Sequence, residues 1–468
     1  MPTISSPGIG SGLDVNSIIT QLLAIERQPI DVLKAKSSKI QVQISEYGKL
    51  KGAIAAFRDA SLKLTSNDTW GATTGTSSDS AAVGVTVKSG AAVGGYSLEV
   101  QALAKAQSLA SAVFASADAT PGAGTLRIEL GTWGAGQTSF TPKAGATAVD
   151  ITVEATDTLA QVRDKINAAN AGVTAIVFTD ATGSRLLMRS TATGVDNAFR
   201  SSGVTALAFD PSAGAGAMTQ TEAAANAAAT LNGLPIVSAS NTLLNLVDGV
   251  TLTLGKVTTA PVEIKVVQDN ESLKKAVQAF ADSYNALNTL IAGQVKYDAS
   301  TKVAGPLQGD SSAVGMQRQM RALMGTPSGA SSVFARLSDV GLEMQKDGSL
   351  SVAAGKLDSA LANLPEIKKL FANTDLGVPA NNGLARQFRI MGDSLLSIDG
   401  VITTRSDGLR KRIELNEDQQ ERLDLRLAQV EKRLRAQYTA LDATLGRLSG
   451  ISSYVTQQMA ALNNSNQS

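Results

Sequence analysis

The chain reads as an α+β multidomain protein. Helices at the two termini form a coiled coil or bundle, and two nested β-rich domains are inserted between them. Three observations carry that reading. From Leu409 to Leu462 apolar side chains recur at alternating steps of three and four. One heptad position runs Ile413, Gln420, Leu427, Leu434, Leu441, Leu448, Val455, Leu462, and the other Leu409, Asn416, Leu423, Val430, Gln437, Thr444, Ile451. Such a repeat keeps one narrow stripe turned toward a partner helix. A weaker copy lies near the other end, with Ile40, Tyr47 and Ile54 beside Leu50, Phe57 and Leu64. Between the two, the apolar period shortens to two, the signature of strands.

Taken in order, Gly, Ser and Pro dominate residues 1–12. Asp14 is a fitting N-cap for a short helix with Ile18, Ile19, Leu22 and Ile25 on its apolar face. Pro29 is expected to end or kink it at Gln28, and a second helix follows from Ile30 to Leu64. Thr73 to Ser80 has the composition of a linker. Val83, Val85 and Val87, then Tyr96, Leu98 and Val100, read as a strand pair across a turn at Gly94-Gly95. A second β-rich stretch contains Leu126 to Leu130 and Ile151 to Glu154. An amphipathic helix from Thr158 to Asn170 comes next, with Leu159, Val162 and Ile166 on one face. Strands resume at Val173 to Phe178 and Arg185 to Arg189. An Ala/Gly-rich patch, Ser212 to Ala229, closes this block, and strands return at Ala229 to Leu231, Thr251 to Leu254 and Val262 to Val267. Helices resume with the face Leu273, Val277, Phe280, Tyr284, Leu287 and Ile291. Leu342 to Val352 is a small β insertion turning at Asp347-Gly348, and the last helices start near Asn382.

The expected division is therefore residues 1–40 as an N-terminal leg segment, unordered before assembly, and 41–76 with 270–435 as the helical domain. An inner β-rich domain takes 77–119 with 221–269, an outer one 120–220, and a C-terminal leg segment 436–468.

The 468 residues carry 42 basic and 41 acidic side chains, so no nucleic acid or anionic membrane is implied as a partner. Cysteine and histidine are absent, which removes disulfides, thiol chemistry, the usual zinc sites and the side chain that titrates near neutrality. No apolar run is long enough to span a membrane, and the start lacks the pattern of a cleavable secretory signal. Gly8-Ile9-Gly10-Ser11-Gly12 has no strand before it, and Leu13 stands where a dinucleotide fingerprint needs its next glycine, so a flexible end is the better reading. The carboxylates form no recognisable catalytic pair. Charges from Arg410 to Arg435 alternate in sign, as on a solvated coiled-coil flank rather than a nucleic-acid face. No catalytic, cofactor or metal residue is nominated, and no enzyme is expected.

The seam has two readings. From Leu409 to Leu434 the first helix can cover it within one chain. Beyond Leu441 the N-terminal counterpart is short and glycine-rich, so Leu441, Leu448, Val455 and Met459, with Leu13, Ile18, Ile19 and Leu22, are expected to make assembly contacts. Because the β domains are inserted, the terminal helices must run antiparallel. One register then sets Tyr47, Leu50, Ile54 and Phe57 against Leu423, Leu427, Val430 and Leu434, with ion pairs Lys51–Asp424 and Arg58–Glu417. The alternative is that Lys51 and Arg58 are simply solvated.

Gly10-Ser11-Gly12-Leu13-Asp14 with Ile18-Ile19 and Leu22 resembles the opening of the flagellar filament cap family, also called flagellar hook-associated protein 2. Leu231-Asn232-Gly233-Leu234-Pro235-Ile236-Val237-Ser238-Ala239-Ser240-Asn241-Thr242, ending in Asp248-Gly249-Val250-Thr251-Leu252, is similar to its most recognisable internal motif. Gly341-Leu342, Gly348-Ser349-Leu350 and Leu425 to Met459 also fit. The resemblance covers nearly the whole chain and is weakest from Thr120 to Gln220. It implies a structural protein secreted by the flagellar type III route, which needs no cleavable signal. Such a protein sits at the distal tip of the filament as a ring, usually a pentamer. It would promote folding and insertion of exported flagellin and prevent its leakage, and so be required for filament elongation and motility. The implied partners are other copies of itself, flagellin, the hook–filament junction protein and a dedicated export chaperone. The alternative is a hook–filament junction protein or a surface adhesin, in which the Asn-Gly-Leu-Pro stretch is not expected.

Overall fold

A computed structural model describes residues 14–465, so Leu13 and the glycine loop before it lie outside the described residues, as does the Leu462 side chain. The chain divides into two compact units, one of residues 1–66 with 274–468 and one of residues 67–273.

The first unit is helical. Its N-terminal helix is continuous from Val15 to Thr65, with Pro29 inside it. The expected end at Gln28, with a second helix from Ile30, is thus corrected to one continuous helix. A proline there lacks an N–H and crowds the preceding turn. The apolar stripe nevertheless continues across it, Leu23 before and Ile30 after, and both are buried against one partner helix. Tertiary packing outweighs the local cost. Four shorter helices follow at Ser311–Gly325, Ala354–Leu361, Leu364–Ala372 and Leu384–Leu396, and the C-terminal helix runs from Val401 to Ser465. The helix Asn270–Val295 contributes Val277, Phe280, Tyr284, Leu287 and Ile291, all fully buried. The small insertion is the hairpin of Leu342–Met344 and Leu350–Val352. Its turn is stabilised by Asp347 Oδ1, which accepts from the Ser349 N–H at 2.9 Å.

The second unit holds two β cores. One packs Leu98, Val100, Leu252, Leu254, Ile264 and Val266 between two sheets. The first has the strand order Thr73–Ser77, Val262–Gln268, Gly94–Ala102, Ala227–Leu231, Leu234–Ser238, and the second Thr242–Val247, Val250–Leu254, Val83–Val87. Two expectations change here. Thr73–Ser77 is an edge strand rather than a linker, paired residue for residue with Ile264–Gln268. Val83–Val87 and Gly94–Ala102 do not pair. The former joins Val250–Leu254 and the latter Val262–Gln268 and Ala227–Leu231, because each finds its partner on the returning half of the chain. The strand Leu234–Ser238, inside the family-like motif, had no distinct strand signal. It forms a hairpin with Ala227–Leu231 through Asn232 (φ 50°) and Gly233 (φ 82°), the backbone a tight two-residue turn requires.

The other core gathers Leu126, Ile128, Ile151, Leu186, Met188 and Phe199. One of its sheets centres on Gly124–Trp133, flanked by Val149–Val153 and Ala198–Ser202. The other has the order Thr219–Glu222, Ser108–Ala110, Gly183–Ser190, Val173–Asp180. The helix Leu159–Ala168 begins with a capping box, Thr158 with Gln161, and buries Leu159, Val162 and Ile166 in this core.

Candidate functional site

The candidate site is the pair of terminal helices. Asp14 caps the first, its Oδ1 accepting from the Ser17 N–H at 3.0 Å. Below the rest of the helical unit, Val15, Ile19, Leu23 and Ile30 pack against Leu427, with Leu423, Val430, Leu434 and Tyr438 half-buried beside them. Three polar contacts fix the antiparallel register. Arg435 Nη1 donates to Asn16 Oδ1 at 3.3 Å. Asn416 and Gln420 both donate to Ser37 Oγ, at 3.4 and 3.5 Å. At the top, Asp310 joins the two helices.

Asp310 is the N-cap of Ser311–Gly325, accepting from the Ser312 and Ala313 N–H groups. The same carboxylate accepts from Tyr47 Oη at 2.7 Å and from Arg405 Nε and Nη2 at 3.0 and 2.8 Å. One buried carboxylate thereby ties three helices. Burial alone would raise its pKa. Hydrogen bonds from Tyr47, Arg405 and the Ala313 N–H, with the Arg405 charge, outweigh burial and hold the group below the usual carboxylate range. Tyr47 moves the other way: burial first, then the neighbouring Asp310, push its phenol well up. Such a node gives charge-assisted bonds in a poorly solvated place, where each is stronger than at the surface.

The register differs from the one the sequence suggests by about three heptads, close to 30 Å along the helix. Lys51–Asp424 and Arg58–Glu417 are therefore not pairs. Arg58 meets Asp59 at 2.7 Å and Asp393 of the Leu384–Leu396 helix at 3.8 Å. Lys51, Asp424 and Glu417 are exposed. The expected seam also separates into two groups. Leu423, Leu427, Val430 and Leu434 face the start of the N-terminal helix. Phe57 instead enters an aromatic cluster, its ring 5.2 Å from Phe280, 5.3 Å from Phe388 and 5.8 Å from Tyr284.

Among the expected assembly residues, Ile19 is buried, Ile18 half-buried and Leu22 exposed. The covered face of this first segment is Val15, Ile19, Leu23 and Ile30, not Ile18, Leu22 and Ile25. The described part of 1–40 is also a packed helix rather than an unordered segment, because the C-terminal helix is present to cover it. Past Tyr438 the C-terminal helix continues with its apolar stripe in solvent: Leu441 is 46% exposed, Leu448 56%, Val455 52% and Met459 63%. The sequence reading missed Asp310 and Arg405. Asp310-Ser311-Ser312 ahead of an apolar-periodic run is a legible N-cap; its long-range partners leave no local signal. Among the described residues, no group of three or more carboxylates stands where it could hold a metal ion, and no helix is long and apolar enough to cross a membrane.

Comparison with known proteins places these helices in context. The family profile for the flagellar hook-associated protein 2 N-terminus matches residues 11–107, and that for its C-terminus residues 224–450. A flagellin hook IN motif matches residues 136–192. The flagellar hook-associated protein 2 of Escherichia coli K12 is 31% identical, with all of both chains covered. The A-type flagellar hook-associated protein 2 of Pseudomonas aeruginosa is 30% identical over 97% of each. The crystal structure of the D1-D2-D3 domains of the Escherichia coli flagellar cap protein FliD superposes with a TM-score of 0.64. It is 29% identical and covers 78% of this chain and 99% of that one. Profiles at both ends of the chain, relatives matched along nearly their whole length and a crystal structure superposed over 99% of its own chain agree, and the chain belongs to the flagellar hook-associated protein 2 family.

Proposed function

We propose that this protein caps the distal tip of the bacterial flagellar filament, where it promotes folding and insertion of exported flagellin and prevents its leakage. Family membership supports the cap role. The observation that carries the mechanism is the exposed stripe from Leu441 to Met459, on a helix that outruns its described partner. A continuous apolar face of that length in water calls for a further surface to cover it. In this reading Leu441, Leu448, Val455 and Met459, with Leu13, Ile18 and Leu22, seat the protein on the filament. The β cores form the plate through which copies meet in a ring. Export follows the flagellar type III route with a dedicated chaperone, and the hook–filament junction protein is the first surface on which the ring sits. A ring of five copies is the expected number, readable by electron microscopy of the isolated oligomer.

The test is deletion of the gene followed by complementation. Electron microscopy of the deletion strain should find short or absent filaments with flagellin in the medium. Reintroduction of the intact chain should restore both, and a version with Leu441, Leu448 and Val455 changed to Ser should stay soluble but not restore them. Normal filaments in the deletion strain would overturn the cap reading. Full rescue by the serine variant would overturn the seating role alone.

A further inference from the structure

The four-stranded sheet of the Leu126/Phe199 core ends on Val173–Asp180, an eight-residue strand paired only with Gly183–Ser190. Its backbone orientation follows from its neighbours. Asn167 clamps Ala175 from outside the sheet, accepting from its N–H at 2.7 Å and donating to its C=O at 3.0 Å. Ala175 therefore directs both groups away from Gly183–Ser190. Directions alternate along an antiparallel ladder, so Val177 and Thr179 do the same. The pairing on the far side agrees. Leu186 and Ser184, their partners, bond instead to Ser111 and Phe114. Val177 and Thr179 thus present an open pairing edge, which Asn167 closes at Ala175.

Two of the other edges in this unit are blunted. Leu234–Ser238 carries Pro235, which has no N–H to offer. Thr242–Val247 is irregular between Leu244 and Val247, with Asn245 at φ 58°. Val173–Asp180 has neither proline, bulge nor lysine. Its solvent face is apolar, with Ile176 57% and Phe178 49% exposed. Beside them on the paired strand stand Arg185, opposite Phe178, Leu187, opposite Ile176, and Arg189, opposite Thr174. Among the described residues neither arginine has a salt-bridge partner. Asp180, which feels the Arg185 charge, is engaged by the Thr182 N–H and hydroxyl at the turn.

We propose that this edge is a docking site for an extended polypeptide segment that carries apolar and acidic side chains together on one face, at every second position. The segment adds as a fifth strand. It bonds through its main chain to Val177 and Thr179, lays apolar side chains on Ile176 and Phe178, and places carboxylates toward Arg185 and Arg189. Main-chain pairing supplies affinity without a fixed sequence, and the two unpaired guanidinium groups select the sign of the charge. The inference stands on the sheet edge and does not depend on the cap reading.

The test uses the full chain with two nine-residue peptides that hold threonine at every odd position, the even positions reading glutamate, valine, valine, glutamate in one and lysine, valine, valine, lysine in the other. The expected result is binding of the glutamate peptide at least tenfold tighter than the lysine peptide, with slowed hydrogen–deuterium exchange confined to residues 173–180. Val177→Pro removes an edge donor without touching the ladder to Gly183–Ser190 and should weaken binding at least tenfold with the thermal melt retained. If that variant does not fold, Ile176→Asp with Phe178→Asp removes the apolar contacts and puts the peptide's own charge on the same edge through side chains alone, and should give the same loss. Arg185→Glu with Arg189→Glu should reverse the peptide preference. Unchanged exchange at saturating peptide, equal binding of both peptides, or full binding by the edge variants would overturn the proposal. So would concentration-dependent self-association through this edge without peptide binding, which would make a second copy the occupant.

Discussion

The N-terminal helix lives in two environments. From Tyr47 to Leu64 its apolar face is almost wholly buried: Tyr47, Leu50, Phe57 and Leu64 are 0% exposed, and Phe57 meets three aromatic rings from other helices. From Val15 to Ile30 the same kind of stripe faces a single helix, and most of its partners remain half in solvent. One helix thus has an upper half locked into a many-sided core and a lower half in a two-helix contact. The stripe alone does not set stability; the number of neighbours does, since a core side chain gains from being touched on all sides.

That contrast can be broken in graded steps. The largest effect is expected at Phe57→Ala, which should cost about 3–5 kcal/mol and be read as a lowered melting temperature of the helical unit. A loss under about 1 kcal/mol would mean the aromatic cluster is not the core. Asp310→Ala should cost about 3–5 kcal/mol, because it leaves the Arg405 charge and the Tyr47 hydroxyl without their acceptor. Arg405 is partly exposed, so the lower end is expected. The node also predicts a pH dependence. The folded-state pKa of Asp310 is depressed, so its contribution is present above the ordinary carboxylate pKa and is lost as pH falls through the folded value. For Tyr47, raised in the folded state, the contribution is present below the ordinary phenol pKa and lost as pH rises through the folded value. Urea melts across pH should find the acid-side slope reduced in Asp310→Asn and the alkaline slope reduced in Tyr47→Phe. Unchanged slopes would remove the node from the account of stability.

In the lower half, Leu427→Ala should cost about 2 kcal/mol, at the small end for a buried leucine, since among the described residues only one helix faces it. A cost equal to that of Phe57→Ala would erase the contrast. The smallest effect is a coupling of zero. In a double-mutant cycle, Lys51→Glu and Asp424→Lys should be additive within about 0.5 kcal/mol, because the register holds them far apart. Clear rescue of one by the other would restore the register suggested by the sequence.

The stripes, the nesting of β strands between helices and the capped helix at Thr158 were legible because each is written in local periodicity or a cap. The register was not, since a seven-residue repeat looks alike after every seven-residue slip. What pins it is Ser37 against Asn416 and Gln420, and Asp310 against Tyr47 and Arg405, contacts between residues far apart in sequence. Strand partners failed for the same reason: Val83–Val87 carries a clear period of two, but nothing in it names Val250–Leu254 as its neighbour. Pro29 misled in the opposite direction, a strong local signal overridden by the helix packed across it. For the site, the exposed apolar stripe was readable, whereas the pairing of Asp310 with Tyr47 and Arg405 was not.

The pairing of the terminal helices also bears on the order in which the chain can fold. Ser37 and Asn416 meet across 379 residues of sequence. Closing so long a loop is entropically expensive, and topologies dominated by distant pairings form slowly. The outer β core, by contrast, is assembled from residues 109 to 218 and can form as soon as that stretch is available. In a chain that appears from its N-terminus onward, the first helix waits for a partner that arrives last. Closure of the helical pair therefore waits for residues 416 to 438, and a chain interrupted before residue 416 would carry finished β domains on an N-terminal helix with an open apolar face.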